Sequence, residues 1–419
     1  LTPVILPASL QEARRPIAGL TAVSRILIEL SRAGCRRAVV ALDAAPALAS
    51  RVEEELARAG RDIAVSWTAP DLLAAALHER GDEDLVALGC TAMPRAPLLA
   101  RFAADPASGV LRAGGRTVAA RTTPQRLAPH GREARRAALA GDGPALEGDA
   151  GEAVAFDHAG RAALAIVAET GKSSDGWVSR HLNRPVSRRI SAWLLQLADV
   201  RPSHLTALGA AAAAAMFASL SLGGRAGLVL GCVLLHVASV LDGLDGEVAR
   251  ATYRSSAAGA LADTVVDMAT NLLFVLGLTI GLYRTHDGAD ALAGAVGLAL
   301  WTTGVLMLAV LIRLGPRGGS FDVLKIAYAR NMTGPVSGAL AALARNVLGR
   351  DFFALAFAVM GLAGLYWAIP WIVAAAAGFW LVLIAAAAPT LLSARPGGLQ
   401  PEHLANGGRG LEVQPVVEP

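Results

Sequence analysis

Three stretches of this chain are almost free of charge. Residues 204–241 hold one formally charged side chain, Arg225, and residues 291–312 and 352–394 hold none. Charge in hydrocarbon is costly, and a helix crossing a bilayer needs roughly 20 consecutive apolar residues. Runs of this kind specify helices that cross a membrane. The composition agrees: apolar types are 54% of the 419 residues and charged types 17%, against about 45–50% and about 25% in soluble domains. Mean hydropathy is +0.47. A disordered chain, a collagen-like chain and an enzyme soluble throughout are excluded.

Six spans are expected, at about 204–222, 226–242, 259–282, 289–313, 351–368 and 370–393, the third in spite of two acids. Counted from a cytoplasmic N-terminus, the external loops hold Arg225 and Arg284. The internal segments hold Arg180, Arg184, Arg188, Arg189 and Arg201, then Arg250 and Arg254, then Arg313, Arg317, Lys325, Arg330, Arg345 and Arg350. This bias places both termini in the cytoplasm, with a bacterial inner membrane as the expected location. Residues 394–419 read as a disordered tail. The first sixteen residues lack the layout of a signal peptide. Cys35, Cys90 and Cys232 have no spacing that suggests disulfides or a metal site.

Residues 1–170 differ from the rest. Short apolar runs at Pro3–Leu6, Ala38–Leu42, Asp62–Trp67, Asp84–Leu88 and Ala163–Val167 alternate with helical patterns near 20–33, 46–59, 69–79 and 95–104. Such alternation predicts an α/β domain with a mostly parallel sheet. Residues 105–160 give no clear pattern. Residues 171–201 read as a linker and an amphipathic helix, with Asn183 as N-cap, Pro185 near its start, and Ile190, Trp193, Leu194 and Leu197 on one stripe. That pattern fits a helix lying in the membrane interface.

Chemistry concentrates where the second span runs into the third. Asp242 and Asp245 are three apart, and Asp263 and Asp267 four apart, so each pair shares a helix face. Two such helices side by side gather four carboxylates near the cytoplasmic surface, a charge that divalent cations offset. Oxygen-only ligands indicate Mg²⁺ or Mn²⁺ rather than zinc. Two metal ions held so can clamp a diphosphate during phosphoryl-type transfer. Gly246 and Gly259 allow close approach, Arg250 offers a fork of donors, and Asp267 is the candidate base. A proton or cation path is the rival reading, although transporter sites favour the midplane. His236 reads as a buried polar packing group.

The residues Asp242, Asp245, Gly246, Ala249, Arg250, Gly259, Asp263 and Asp267 fill all eight fixed positions of D-x₂-D-G-x₂-A-R-x₈-G-x₃-D-x₃-D. In this the chain resembles the CDP-alcohol phosphotransferase family over roughly residues 172–393. The resemblance implies six spans, a cytoplasm-facing site and two metals bound by the four aspartates, the last serving also as base. It implies that Gly246, Ala249, Arg250 and Gly259 contact the CDP moiety. An acceptor hydroxyl would attack a CDP-linked alcohol and release CMP. Relatives often carry Pro-Asn-x-x-Thr before the first span; here Pro202 and Thr206 fit and Ser203 replaces the asparagine, so Thr206 is included among the nucleotide contacts. Arg350, Arg313 and Lys325 are candidates for a phosphate on the acceptor, beside the general reading that such residues face lipid headgroups.

The N-terminal half resembles sugar nucleotidyltransferases through Pro3–Leu6, Arg15-Pro-Ile-Ala-Gly-Leu-Thr21 and Val23-Ser-Arg-Ile-Leu27. The combination is similar to fused inositol-phosphate cytidylyltransferase and di-inositol-phosphate phosphate synthase. Here, however, the first strand runs into Pro7-Ala-Ser-Leu-Gln-Glu-Ala13 rather than a glycine-rich basic loop, and Leu85-Val-Ala-Leu88 into Gly89-Cys90-Thr91 rather than an aspartate. A catalytically silent domain is expected. The expected organisation is thus an α/β domain over 1–170, a linker and interfacial helix over 171–201, an all-α six-span transferase domain over 202–393, and the tail. Expected partners are a CDP-alcohol donor, an alcohol or phospho-alcohol acceptor, membrane lipid and a second copy of the chain, but not nucleic acid. The alternatives are a bifunctional cytidylyltransferase/phosphotransferase and a cation transporter or regulatory pseudoenzyme.

Overall fold

The computed structural model describes residues 2–43, 46–79, 81, 84–127, 138–140, 143–171, 175–197, 199–285, 288–314 and 349–393. The expected tail 394–419 and most of the basic segment 313–350 lie outside the described residues. Two compact units are formed, one from Leu1–Ala212 with Val237–Met268 and one from Ala213–His236 with Ala269–Pro419.

In the first unit the strands are β1 (Thr2–Leu6), β2 (Pro16–Ile17), β3 (Leu20–Thr21), β4 (Arg37–Ala41), β5 (Ala64–Thr68), β6 (Leu85–Gly89), β7 (Ala92–Pro94), β8 (Val110–Ala113), β9 (Arg116–Thr122), β10 (Ala145–Gly148) and β11 (Ala153–Ala155). The main sheet has the order β10-β8-β9-β6-β1-β4-β5. Strands β5, β4, β1 and β6 run parallel, and β9 opposes both β6 and β8. Every residue of β1 and β6 is buried. Strands covered on both faces must be apolar throughout, which is why they were legible as uninterrupted runs.

The helices of this part are α1 (Leu10–Arg14), α2 (Ala22–Arg32), α3 (Pro46–Arg58), α4 (Leu73–Glu79), α5 (Ala96–Ala104), α6 (Ala159–Ala168) and α7 (Arg184–Leu197). Residues 163–167, expected as a strand, belong instead to α6. Its buried residues Ala162, Ala163, Ile166 and Val167 recur at helical spacing. Two β-branched residues at the end of an alanine-rich run do not outweigh that stripe.

Asn183 does not cap α7. Helical backbone begins at Trp177 and passes through a π-turn at Ser179–Asn183 into α7. Pro185 cannot donate a hydrogen bond, and the wider turn ahead of it replaces the regular pattern. Of the expected stripe, Trp193 and Leu197 are 58% and 62% exposed. The opposite face, Arg184, Ser187, Ser191 and Leu195, is buried.

The remaining helices are α8 (Pro202–Leu222), α9 (Gly224–Ala251), α10 (Ala257–Thr285), α11 (Gly288–Leu314), α12 (Arg350–Leu362) and α13 (Ile369–Ser393). Among the described residues, five helical segments are long and apolar enough to cross a membrane: Pro202–Leu222, Gly224–Ala251, Ala257–Thr285, Gly288–Leu311 and Tyr366–Ala386. The protein is an integral membrane protein. The helix at the expected fifth span, α12, has 13 residues; at ~1.5 Å per residue it reaches ~20 Å, short of a ~30 Å hydrocarbon core.

Each unit has its own core. In the second, Leu220, Leu228 and Cys232 pack with Leu278 and Phe357, and Phe274 stacks on Phe357 at 5.7 Å between centroids. In the first, one cluster joins Ile5, Ile26 and Leu27 of the α/β part to Leu195 of α7, Leu205 of α8, and Leu244, Val248 and Ala251 of α9. The α/β part and the adjoining parts of these helices therefore share one core.

Candidate active site

The end of α9 and the start of α10 lie in the first unit. Ser256 caps α10: the Gly259 N–H donates to its Oγ at 3.0 Å, the usual use of serine at an N-cap. One carboxylate oxygen each of Asp242, Asp263 and Asp267 lies within 4.8 Å of the others, all three side chains being half-buried. Three like charges so close repel one another, and a hard divalent cation is the species that suits an all-oxygen donor set of this kind.

Asp245, expected as the fourth member, is outside that trio. It is 7% exposed and accepts a hydrogen bond from Thr206 Oγ1 at 2.8 Å. A separation of three residues turns a side chain about 60° around the helix, enough to direct Asp245 toward α8. Thr206, expected among the nucleotide contacts, is placed on this aspartate.

Arg250 folds back along α9. Its Nε donates to the Thr170 carbonyl at 2.7 Å, just beyond the C-terminus of α6. A Cβ on Gly246 would stand 2.9 Å from Arg250 Nη1, so the glycine of the motif makes room for its own arginine one turn later. Ala249 is half-buried and Gly259 exposed.

Behind these residues stands a network that sequence reasoning missed. Glu247 is fully buried. Its carboxylate accepts from Arg184 Nη1 at 3.0 Å, Ser187 Oγ at 2.7 Å and Ser191 Oγ at 2.8 Å. Arg184 also forms a fork onto Asp175 at 2.9 and 3.1 Å. Burial works against the Arg184 guanidinium's charge, but the bonds and charges of Asp175 and Glu247 prevail and push it above its ordinary range. The available signal was Ser187 and Ser191, four apart on a helix, facing an acid inside the motif.

Elsewhere, Arg313 and Arg350 belong to the second unit, and Lys325 lies outside the described residues. In the α/β part the loop after β1 is closed by Ser9 and Glu12, at the start of α1. Ser9 Oγ accepts from Glu12 N at 3.1 Å, and the Glu12 carboxylate accepts from Ala8 N at 2.5 Å. A carboxylate thus occupies the main-chain donor that a phosphate-cradling loop would present.

Residues 199–392 match the family model described as CDP-alcohol phosphatidyltransferase. Curated relatives include proteins named "Bifunctional IPC transferase and DIPP synthase". That of Aquifex aeolicus is 40% identical over 117 residues, 27% of this chain and 25% of the relative. Those of Archaeoglobus fulgidus and Rubrobacter xylanophilus are each 38% identical, over 120 and 126 residues, covering 27% and 29% of this chain and 22% and 28% of the relatives. The matched regions thus span about a quarter of the length of these relatives.

Proposed function

Because residues 199–392 match the family model described as CDP-alcohol phosphatidyltransferase, we propose that the chain transfers a phospho-alcohol group, phosphatidyl or inositol-phosphate in type, from a CDP-alcohol to an acceptor hydroxyl. The step forms a bond from the acceptor oxygen to the phosphorus carried by the alcohol. It breaks that phosphorus's bond to CMP, which leaves, and Asp267 takes the hydroxyl proton. The product class is a phospholipid or an inositol lipid. The observation that carries this reading is the gathering of Asp242, Asp263 and Asp267 beside a motif arginine that folds over Gly246.

Asp242, Asp245, Asp263 and Asp267 would hold two divalent ions, Mg²⁺ or Mn²⁺, which when bound supply positive charge against the diphosphate. Gly246, Ala249, Arg250 and Gly259 contact the CDP moiety, and Thr206 orients Asp245 from α8. Arg350, Arg313 and Lys325 serve an acceptor phosphate. The exposed Trp193 and Leu197 suit α7 to the interface of the inner membrane. Six crossings, with α12 contributing to the fifth, agree with the arginine bias and cytoplasmic termini. The closed loop at Glu12 favours one active site over a bifunctional enzyme.

The test is CMP release by reconstituted protein with Mg²⁺, giving CDP-diacylglycerol and CDP-inositol separately with inositol phosphate, glycerol phosphate or lipid alcohols. Release from one donor that requires an acceptor and stops with chelator is the expected result. Acceptor-independent release, or none from either donor, counts against it. Gly246→Ala is expected to displace Arg250 and raise the donor KM about tenfold, the worth of one charge-assisted hydrogen bond. Donor titrations of the two proteins would check this.

A further inference from the structure

The structure points to a task for the N-terminal α/β domain. We propose that the N-terminal α/β domain is a clamp that positions the transferase site by gripping Arg250–Arg254, with Arg25 and Tyr253 as its positioning residues. The proposal rests on the transferase reading and assigns the domain's part in it.

Each of these five residues is held by chain that precedes α8. Arg250 donates to the Thr170 carbonyl at 2.7 Å. The Ala251 carbonyl, at the last turn of α9, accepts from Arg25 Nη2 at 2.7 Å. Arg25 is 4% exposed and also donates to the carbonyls of Ile17 and Ala18, at 3.0 and 2.7 Å. One guanidinium thus ties the β2–β3 turn to the negative end of α9. Gly19, at φ +83°, lies under Thr252, where a Cβ would stand 2.8 Å from Thr252 Cγ2. The Tyr253 ring is flanked by Arg25 and Arg32, 5.9 and 5.7 Å from its centroid, and its hydroxyl accepts from Arg32 at 2.9 Å. Arg254 pairs with Asp199 at 2.8 Å.

Tyr253 is the telling residue. The bonds Arg254 N to Ala249 O and Tyr253 N to Arg250 O, 2.8 and 3.4 Å, form the helix-ending motif in which the turn residue is left-handed. The same motif ends α2, α3 and α12, and there the turn residue is Gly34, Gly60 and Gly364. At α9 it is tyrosine, at φ +55°. A bulky residue persists in that conformation when its surroundings over-determine it, and here they are two arginines of α2. The turn sets the spacing between the helix of Asp242 and Arg250 and the helix of Asp263 and Asp267.

The test uses Tyr253→Gly and Tyr253→Phe in the full chain. If Tyr253 mattered only to the turn, glycine would serve as well or better. The clamp requires the reverse: Tyr253→Gly raises the donor KM about tenfold with a smaller change in kcat, while Tyr253→Phe, keeping the ring between the arginines, stays within about threefold. Amides of residues 251–254 exchange hydrogen faster in Tyr253→Gly than in the wild type. Arg25→Lys, which keeps the charge but not the fork, falls between. Wild-type KM and wild-type exchange in Tyr253→Gly would overturn the clamp. Should the wild type release no CMP, the transferase reading fails, and the exchange comparison alone decides whether the domain holds the turn.

Discussion

Asp267→Asn is expected to lower CMP release by about a thousandfold or more while leaving the protein folded. Asparagine has the same shape, so α10 keeps its packing. It removes one of three carboxylates whose oxygens lie within 4.8 Å of one another, and so relieves repulsion rather than creating it. Without divalent ion the variant should melt at or above the wild-type temperature. On adding Mg²⁺ the wild type should be stabilised and the variant less so, since an ion that binds only the folded state raises stability by mass action. Lost activity with an unchanged Mg²⁺ response would place Asp267 outside the metal set and leave it the role of base. Retained activity would remove it from the mechanism.

The second large effect concerns stability. Glu247→Leu should destabilise the first unit by about 3–5 kcal/mol, because it strips a buried ion pair of one member. Ser187 and Ser191 lose their common acceptor, and Arg184 is left with Asp175 and a long bond to the Gly243 carbonyl. Glu247→Gln keeps an acceptor oxygen and should lose less. Combining Glu247→Leu with Arg184→Met should cost less than the sum of the single changes, since the two act on one contact. Thermal unfolding of the four proteins in one detergent provides the check; strict additivity would mean that the pair is not coupled.

What could be read from the sequence follows from what is local. Helical periodicity alone put Asp242 with Asp245 and Asp263 with Asp267, and uninterrupted apolar runs gave β1, β4 and β6 because strands covered on both faces have no polar alternation. The turning of Asp245 toward Thr206 was not legible: it depends on where α8 packs. Glu247 was hidden for the same reason, since an acid on a helix looks alike whether it meets water or a buried arginine. Ala163–Val167 went astray because a run of alanine, isoleucine and valine suits either a covered strand or a helix, and only the spacing of its buried residues decides. Of the stripe expected on α7, Trp193 and Leu197 are exposed whereas Ile190 and Leu194 pack against the core, and its buried polar residues Arg184, Ser187 and Ser191 were not legible.

The core shared by the α/β part with Leu244, Val248 and Ala251 has a consequence for synthesis. As the chain leaves the ribosome, β1 and α2 emerge long before their last packing partners. At ~5–20 residues per second, the wait between the end of α6 and the end of α9 is on the order of ten seconds. Through that interval the nascent domain carries an uncovered apolar face, while α8 and most of α9 must enter the bilayer before the face can close. Folding of the α/β part is therefore coupled to membrane insertion, and a ribosome stalled before residue 244 would hold this part without its last packing partners.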